Sequence, residues 1–265
     1  MPTIGELLGR WQSLRILGRK VRTVRFITEI VKAIGNNLDL GLPAQSLDEP
    51  ALMEFAQKVS WYSPSRWNCM VSAMRYVTGD PKALKYRKLR FKDFRPPNQL
   101  EFAMFLQECD RMPRSQCGLI VRLLYLTGMR IAEARALLWE HVDANALRLP
   151  GSITKNGKPR TIPFLPGTSE ILDRLRAIKN GPHVLPHFHM RRALATACRK
   201  VGIKTLSYHD FRRLWVTRCV EQGVDLPTLS RWAGHSDGGA LLGRVYFHLL
   251  DAHSMEVASK VRIAI

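Results

Sequence analysis

The sequence has few acidic residues for its length, and this is its main departure from ordinary globular composition. Only 22 Asp and Glu stand against 41 Lys and Arg among 265 residues, which gives a formal net charge of +19. The excess is shared almost evenly by the parts before and after residue 100, so it is not a detachable basic tail. Such a field indicates a polyanionic partner, with nucleic acid the leading candidate. The alternative is a basic surface that only keeps the protein soluble.

Long apolar runs and paired cysteines are also missing. No uninterrupted apolar stretch approaches the roughly 20 residues that span a bilayer. Arg10, Arg15 and Arg19 interrupt the N-terminal stretch where a signal peptide needs its apolar segment. The five cysteines include no C-x-x-C pair, which disfavours a disulfide framework or a zinc ribbon and predicts reduced, mostly buried thiols. We therefore expect a cytoplasmic, nucleoid-associated protein with no membrane partner.

Several common catalytic motifs are absent. The segment 151–158 resembles a phosphate-binding loop only weakly, since five residues separate its glycines and Pro159 stands where Ser or Thr should be. There is no G-x-S-x-G serine elbow and no H-E-x-x-H zinc helix. His183, His187 and His189 could bind a metal, but they lack a nearby acidic or cysteine ligand, which favours a surface loop. We expect no metal and no cofactor.

Helical periodicity dominates the first 90 residues. Pro64 is expected to begin one helix, and Gly79 to end it. Three apolar series recur at helical spacing: Ile16, Val21, Val24, Ile27, Val31 and Ile34; Leu52, Phe55 and Val59; Trp67, Val71 and Met74. The pattern predicts a helical N-terminal domain over residues 1–90.

A strongly basic segment follows this helical part. Between residues 82 and 95 there are seven basic residues against one acid, Asp93, and Pro96 and Pro97 then enforce an extended backbone. The segment is either a solvated connector or a strap that follows DNA, and the basic parts on both sides favour the strap. We expect a linker over residues 91–97. The expected DNA-binding cations are Lys82, Lys85, Arg87, Lys88 and Arg90.

The second half reads as helices interrupted by a small antiparallel β-sheet, which predicts a mixed α/β domain over residues 98–265. Helical patterns cover 119–126, 131–137, 171–178, 191–201, 211–220 and 226–232. Short strands are predicted at 147–149, 152–154 and 160–164. Asn156-Gly157 is a hairpin signal between the last two. The predicted fold class is therefore mainly α with one small sheet.

Two arginines stand at positions that suit an anion. Arg130 follows Gly128 at the opening of a helix, where backbone donors favour negative charge, and Glu133 could brace it from the same face. His209 and Arg212 share a helical face three residues apart and could grip one phosphate. Taken singly, each pair could equally be an ordinary surface feature.

Three further residues gain interest from their turns. Lys155 directly precedes the predicted hairpin turn, which would hold its ammonium group on a rigid tip. Gly234 is expected to end a helix in the left-handed conformation and deliver His235 into the next loop. Tyr246 follows a small apolar patch. The alternatives are a solvated lysine, a structural histidine and a core aromatic.

Taken together, five sequence blocks resemble the tyrosine recombinase (phage integrase) family. The blocks are T-G-M-R-I-A-E-A-R-A-L, T-K-N-G-K-P-R-T-I-P, H-D-F-R-R, A-G-H-S-D and the tyrosine shortly after. Their order and rough spacing match over residues 98–250. Residues 1–90 resemble the helical core-binding domain of the family more weakly.

The resemblance implies a role for each residue in metal-free phosphoryl transfer. The implied site comprises Arg130, Lys155, His209, Arg212, His235 and Tyr246. Tyr246 would attack the scissile phosphodiester and store its energy as a 3′-phosphotyrosine. Arg130 and Arg212 would clamp the non-bridging oxygens, and Lys155 would protonate the leaving 5′-oxygen. The two histidines would assist the proton transfer and the phosphate contact, and which of them is the base stays open.

The resemblance further implies a site-specific recombinase or integrase of a mobile element, acting as a tetramer on double-stranded DNA without ATP. Type IB topoisomerase-like relaxation and a non-catalytic DNA-binding relative stay open as alternatives. The spacing from His235 to Tyr246 exceeds the usual family spacing and contains Gly238 and Gly239, which predicts a lengthened loop.

Overall fold

The computed structural model describes residues 1–80, 82–89, 95–112, 116–185 and 188–235. Within these ranges the chain is mainly helical and carries one two-stranded antiparallel sheet, so the predicted fold class is confirmed. The chain divides into two units, Met1–Asp93 and Phe94–Ile265. Among the described helices, none combines the length and the apolar character needed to cross a membrane.

Local chemistry sets the helix ends of the first unit. Its helices are α1 (Ile4–Ile16), α2 (Val21–Gly35), α3 (Glu49–Lys58) and α4 (Pro64–Thr78). Thr3 and Glu6 exchange hydrogen bonds in a capping box that begins α1. Asp48 accepts a backbone hydrogen bond at the start of α3. Pro64 begins α4 and Gly79 ends it at φ +70°, as predicted.

The apolar series that begins at Ile16 does not form a single helix. Ile16 ends α1, Gly18 turns the chain at φ +67°, and α2 begins only at Val21. The helical spacing continues across this corner because the two helices bury faces in the same core. Both helices pack against α4, whose Met70 and Met74 are completely buried. The periodicity therefore found the buried Ile27 and Ile34, but Val21 is 79% exposed and the turn between the two helices was missed.

The second unit is arranged around a buried central helix. Its elements are α5 (Gln99–Asp110), α6 (Cys117–Thr127), α7 (Ile131–Ala136), β1 (Ala146–Leu149), β2 (Arg160–Pro163), α8 (Thr168–Ala177), α9 (Arg191–Val201), α10 (Tyr208–Glu221) and α11 (Leu226–Ala233). Helix α6 packs against α5, α8 and α10. Phe105, Ile120, Leu123 and Phe211 are among the completely buried core residues. Since α7 directly follows α6 and α11 follows α10, this core fixes where both shorter helices lie.

The turn between α6 and α7 requires a glycine. Gly128 adopts φ +58°, and a Cβ atom there would lie 2.1 Å from Cε3 of Trp215 on α10. A side chain at this position would therefore meet both a disfavoured backbone conformation and a steric overlap. This close approach places the start of α7 next to α10.

The sheet contains two strands rather than the three predicted. β1 pairs directly with β2, with Leu147 opposite Ile162 and Leu149 opposite Arg160. The predicted strand at 152–154 is wrong, because its backbone forms turns: the N–H groups of Ile153 and Thr154 donate to carbonyls only three residues back. The predicted hairpin between 152–154 and 160–164 is wrong for the same reason. Residues 150–159 form a connection across the end of the sheet.

The five cysteines are free thiols, and four of them are buried, as predicted. Cys109 and Cys117 lie together in the core of the second unit. Their mutual hydrogen bond and their burial raise the pKa of Cys109. Burial likewise raises the pKa of Cys219, to about 12. These shifts disfavour the reactive thiolate form.

Candidate active site

Arg130 lies at the entrance to α7, immediately after the Gly128 turn. Its backbone N–H donates to one carboxylate oxygen of Glu133 at 2.8 Å, and its Nη1 donates to the other at 3.1 Å. Glu133 is only 1% exposed, whereas about a quarter of the Arg130 side chain, 26%, remains exposed. The predicted bracing of Arg130 by Glu133 is confirmed, and it presents the guanidinium at the protein surface in a fixed orientation.

Arg212 reaches the same place from α10. Its Nη1 donates to the carbonyl oxygen of Gly128 at 2.7 Å, and its Nη2 donates to that of Ala233 at 2.6 Å. Arg212 is 4% exposed, so it is a buried cation held by main-chain oxygens rather than the surface group that its sequence context allowed. These two bonds tie the α6–α7 turn to the end of α11.

The carboxyl end of α11 gathers both arginines. Arg130 donates to the carbonyl of Ala233 at 3.4 Å and to that of Gly234 at 3.1 Å, beside the Arg212 contact to Ala233. The last carbonyls of a helix carry partial negative charge and lack partners within the helix, which suits them to guanidinium groups. The two arginines thus converge although they are 82 positions apart in the sequence.

His209 lies one helical turn before Arg212 on α10. Solvent reaches its imidazole, but the surrounding protein removes part of its hydration. This loss, together with the positive charges of Arg212, Arg213 and Arg130, lowers the pKa of His209 against a smaller opposing effect of Asp210. A histidine with a lowered pKa is neutral at pH 7 and can accept a proton.

His235 follows the left-handed cap of α11, as the sequence predicted. Asp225 caps the start of this helix through the N–H of Thr228, and Gly234 ends it at φ +67°. The backbone N–H of His235 donates to the carbonyl of Ser230 at 3.1 Å. The half-buried residue therefore leaves the helix at the end that holds both arginines.

Lys155 is exposed in the connection between β1 and β2, not on the tip of a hairpin. Among the described residues, it makes no hydrogen bond or ion pair with the two arginines. Its neighbours Asn156 and Lys158 line a cleft of about 450 Å³ that also includes Gly234 and His235. The structure therefore brings its loop beside the site but does not fix the ammonium group in it.

Tyr246 lies outside the described residues, and so does the predicted loop that leads to it. Tyr208, the other tyrosine within the site blocks, is described: its hydroxyl oxygen accepts a hydrogen bond from the backbone N–H of Met190 at 2.8 Å, and its ring meets Phe188 edge-on. Tyr208 is thus engaged in packing α10 against the segment before α9.

The predicted DNA-binding cations divide into two kinds. Lys82, Lys85 and Lys88 are exposed, and Arg90 lies outside the described residues. Arg87 instead donates to the carbonyls of Ser60 and Tyr62, and its guanidinium lies 4.0 Å from the ring centroid of Trp67.

The segment 82–89 is thereby attached to the first unit. Its backbone is held by Asn68, which exchanges two hydrogen bonds with Arg87, and by Trp67 Nε1, which donates to the carbonyl of Lys85. Within the segment, Leu84 is buried in the core of the first unit. This part of the predicted basic strap is a structured edge of the helical unit.

One buried residue of the site escaped the sequence analysis. Arg160, the first residue of β2, is 7% exposed and forms two hydrogen bonds to Glu133, at 2.9 and 2.7 Å. Burial alone would raise the pKa of Glu133, but the hydrogen bonds and charge of Arg160, together with Arg130, outweigh it and lower that pKa. The sequence does hold one indication of this position. Arg160 lies two residues before Ile162 and therefore on the same face of β2, and Ile162 is buried.

Within the part of the chain that the structure describes, no three His, Cys, Asp or Glu side chains converge on a metal site. Two guanidinium groups do converge at the end of α11, which His235 directly follows, and His209 is close enough to both for their charge to lower its pKa. This arrangement offers positive charge and hydrogen-bond donors, with an imidazole nearby. Such chemistry suits an anion.

The chain belongs to the phage integrase family, whose sequence profile matches residues 99–253. The resemblance drawn from the motifs is confirmed. Among curated proteins, tyrosine recombinase XerA of Saccharolobus solfataricus is 28% identical over 166 residues, which cover 62% of this chain and 55% of that protein. The chain spans about half the length of the curated relatives it matches.

Solved structures show the same fold. A lambda integrase dimer bound to a COC′ core site superposes with a TM-score of 0.76 at 17% identity, covering 92% of this chain and 95% of that chain. A lambda integrase tetramer bound to a Holliday junction gives a TM-score of 0.71 at 16% identity, covering 89% and 75% respectively. The predicted fold of the tyrosine recombinase type is confirmed.

Proposed function

We propose that this protein is a site-specific DNA recombinase that cuts and rejoins DNA through a covalent tyrosine intermediate. The observation that carries the proposal is the convergence of Arg130 and Arg212 on the end of α11, which His235 follows, in a member of the phage integrase family. The relatives it matches include proteins named tyrosine recombinases, and its structural neighbours include integrases bound to DNA.

In the proposed reaction, the hydroxyl oxygen of Tyr246 attacks the scissile phosphorus and the bond to the 5′-oxygen breaks. The proton of Tyr246 passes to His209, whose lowered pKa keeps it neutral and able to accept it. Lys155 gives a proton to the leaving 5′-oxygen. The energy of the cleaved phosphodiester bond is conserved in the 3′-phosphotyrosine bond, so that religation needs no ATP.

The two arginines stabilise the charge that builds on the non-bridging oxygens. Guanidinium groups that are already fixed by hydrogen bonds do this well because they need no reorganisation when the charge develops. His235 adds a donor from the end of α11. No step of this scheme calls on a metal ion or another cofactor.

Substrate binding belongs to both parts of the proposed enzyme. We assign residues 1–90 to DNA binding, 91–97 to a linker and 98–265 to catalysis. Lys82, Lys85 and Lys88 are exposed and would contact phosphates, whereas Arg87 is engaged within the helical unit. We propose a tetramer on two DNA sites as the working assembly, since a lambda integrase neighbour is a tetramer on a Holliday junction.

The test uses nicked duplex fragments that cover the DNA on either side of the coding sequence. The protein and its Tyr246→Phe variant are mixed with each fragment, and SDS-resistant adducts at 3′ ends are sought. Adducts with the wild type alone, followed by recombinant products, are expected. Relaxation of supercoiled plasmid without recombinants would instead indicate a topoisomerase. Retained binding without any adduct would overturn the catalytic proposal.

A further inference from the structure

Arg160 occupies an unusual position for a strand arginine. It begins β2 opposite Leu149, yet its side chain turns inward and is 7% exposed. The guanidinium makes three hydrogen bonds: two to the carboxylate of Glu133 and one from Nε to the carbonyl of Trp232, at 2.8 Å. It therefore joins the sheet, the start of α7 and the end of α11.

The end of α11 is shaped to fit this side chain. Gly234 has no Cβ, and one placed there would lie 2.9 Å from Cδ and 3.0 Å from Nε of Arg160. Gly234 is also the residue whose carbonyl accepts from Arg130 and whose left-handed conformation directs His235 into the loop. Arg160 thus contacts the Trp232–Gly234 backbone, whose carbonyls accept hydrogen bonds from Arg130 and Arg212.

Arg160 also controls the charge next to Arg130. Glu133 is 1% exposed, and a buried carboxylate needs a cation and hydrogen bonds to stay ionised. Arg160 supplies both through a bidentate contact. Without it, the carboxylate would depend on Arg130 alone, and that guanidinium would be drawn away from the carbonyls of Ala233 and Gly234.

We propose that Arg160 is a positioning residue of the active site. It neutralises Glu133 and supports the Trp232–Gly234 backbone, so that Arg130 and His235 face the same phosphate. The inference rests on the proposed recombinase function for its effect on rate. Arg160 itself touches neither DNA nor the reacting atoms in this scheme.

The test compares Arg160→Lys and Arg160→Met with the wild type. Lysine keeps a positive charge beside Glu133, but its ammonium group cannot donate two parallel hydrogen bonds to the carboxylate as the planar guanidinium does. Arg148→Met is the matched control, because Arg148 lies on the neighbouring strand β1, its side chain is 74% exposed and it pairs with Asp143. Full-length proteins are used, and each variant is first checked for its thermal unfolding midpoint and its affinity for the nicked fragment.

Adduct formation is then measured in a single turnover at saturating DNA. A displacement of about 1 Å at a reacting centre can slow a reaction about 100-fold, which is the loss we expect for Arg160→Met. Arg160→Lys should unfold near the wild-type temperature and bind DNA equally well. It should react roughly 10-fold more slowly, since lysine keeps the positive charge but cannot form two parallel hydrogen bonds to Glu133. Arg148→Met should match the wild type.

A purely structural role would lower the midpoint without changing the rate of the folded Arg160→Lys protein at saturation. A wild-type rate in Arg160→Lys would overturn the inference.

A second readout needs no DNA cleavage. The Cε1–Hε1 signal of His235, assigned by its loss in His235→Gln, is followed by NMR in histidine-labelled protein. Both Arg160 variants should shift this signal, and Arg148→Met should leave it in place. If the wild type forms no adduct but the shift is seen, the proposed function fails and the positioning role stands. An unchanged signal in a folded Arg160 variant would contradict the positioning role whatever the activity.

Discussion

The two halves of the candidate site differ in how firmly the protein holds them. Arg130 and Arg212 are fixed by main-chain carbonyls and a buried carboxylate, whereas Lys155 is exposed in the connection between two short strands. The first half can stabilise charge only if it is in place before the charge develops. The second must deliver a proton, and an exposed side chain with four rotatable methylenes can move to do so. The comparison suggests a rigid phosphate clamp served by a separately placed acid.

The largest effect is expected from loosening the clamp. Arg212→Lys keeps the charge but cannot donate to Gly128 and Ala233 from one planar group. Losing one preorganised donor slows a reaction by about 10² to 10³, and we expect adduct formation to fall by this factor. The single-turnover rate at saturating DNA measures it.

Arg213→Lys is the control for this change, because Arg213 is adjacent on α10 and retains its charge in the variant. It should react at nearly the wild-type rate. Equal losses in both variants would show that α10 tolerates no change here, and the clamp would lose its special status.

Replacing Lys155 should slow adduct formation in a way that a modified substrate can reverse. Lys155→Met removes the proposed acid, and adduct formation should slow by about 10², at the low end of general acid catalysis. A substrate with sulfur in place of the bridging 5′-oxygen needs no proton on its leaving group. The variant should cleave that substrate at the wild-type rate. A persistent defect would mean that Lys155 acts in some other way.

A substitution in the α6–α7 turn, where the carbonyl of Gly128 accepts a hydrogen bond from Arg212, should disturb the clamp through its support. Gly128→Ala places a methyl group against the Trp215 ring at φ +58°, and we expect a loss of about 1–3 kcal/mol in the free energy of unfolding. Urea denaturation measures it. Gly202→Ala shares the positive φ, at +77°, but meets nothing within 4 Å. It should cost less, and an equal cost would remove the argument for the Trp215 contact.

These contrasts show what sequence reasoning can reach. The caps of α4 and α11 were predicted because capping depends on residues only a few positions apart. Glu133 was placed beside Arg130 because it lies three positions further along the same helix. Arg160 was missed because its partners lie 27 and 72 positions away, and because a lone arginine in a strand normally faces solvent.

The same limit explains the errors in the fold. Periodicity ran through the corner at Gly18 since both helices bury faces in one core. The strand at 152–154 was inferred from residue type, whereas its N–H groups are used in turns. Arg87 was grouped with its basic neighbours, although Trp67 and two carbonyls engage it. Distant interactions decided the outcome for Arg87, whereas the strand at 152–154 was replaced by local turns.

The smallest expected effect separates exposed from engaged cations in the segment 82–89. Replacing Lys82, Lys85 and Lys88 by glutamine should lower the slope of log affinity against log salt by about 0.9 for each lysine–phosphate ion pair removed, with an unchanged unfolding midpoint. Arg87→Gln should instead destabilise the protein by about 1–2 kcal/mol, because it removes a cation–π interaction and two hydrogen bonds to carbonyls. Salt titrations and thermal unfolding distinguish them. The opposite pattern would overturn the division.

The central claim is that Tyr246 attacks the phosphate held by Arg130 and Arg212. Its most direct test is to trap the covalent protein–DNA adduct on a nicked fragment, digest it and identify by mass spectrometry the tyrosine that carries the nucleotide. The account predicts Tyr246, and an adduct yield that collapses in Arg212→Lys. A nucleotide on Tyr208 or any other residue, or an adduct that forms equally well without Arg212, would contradict it.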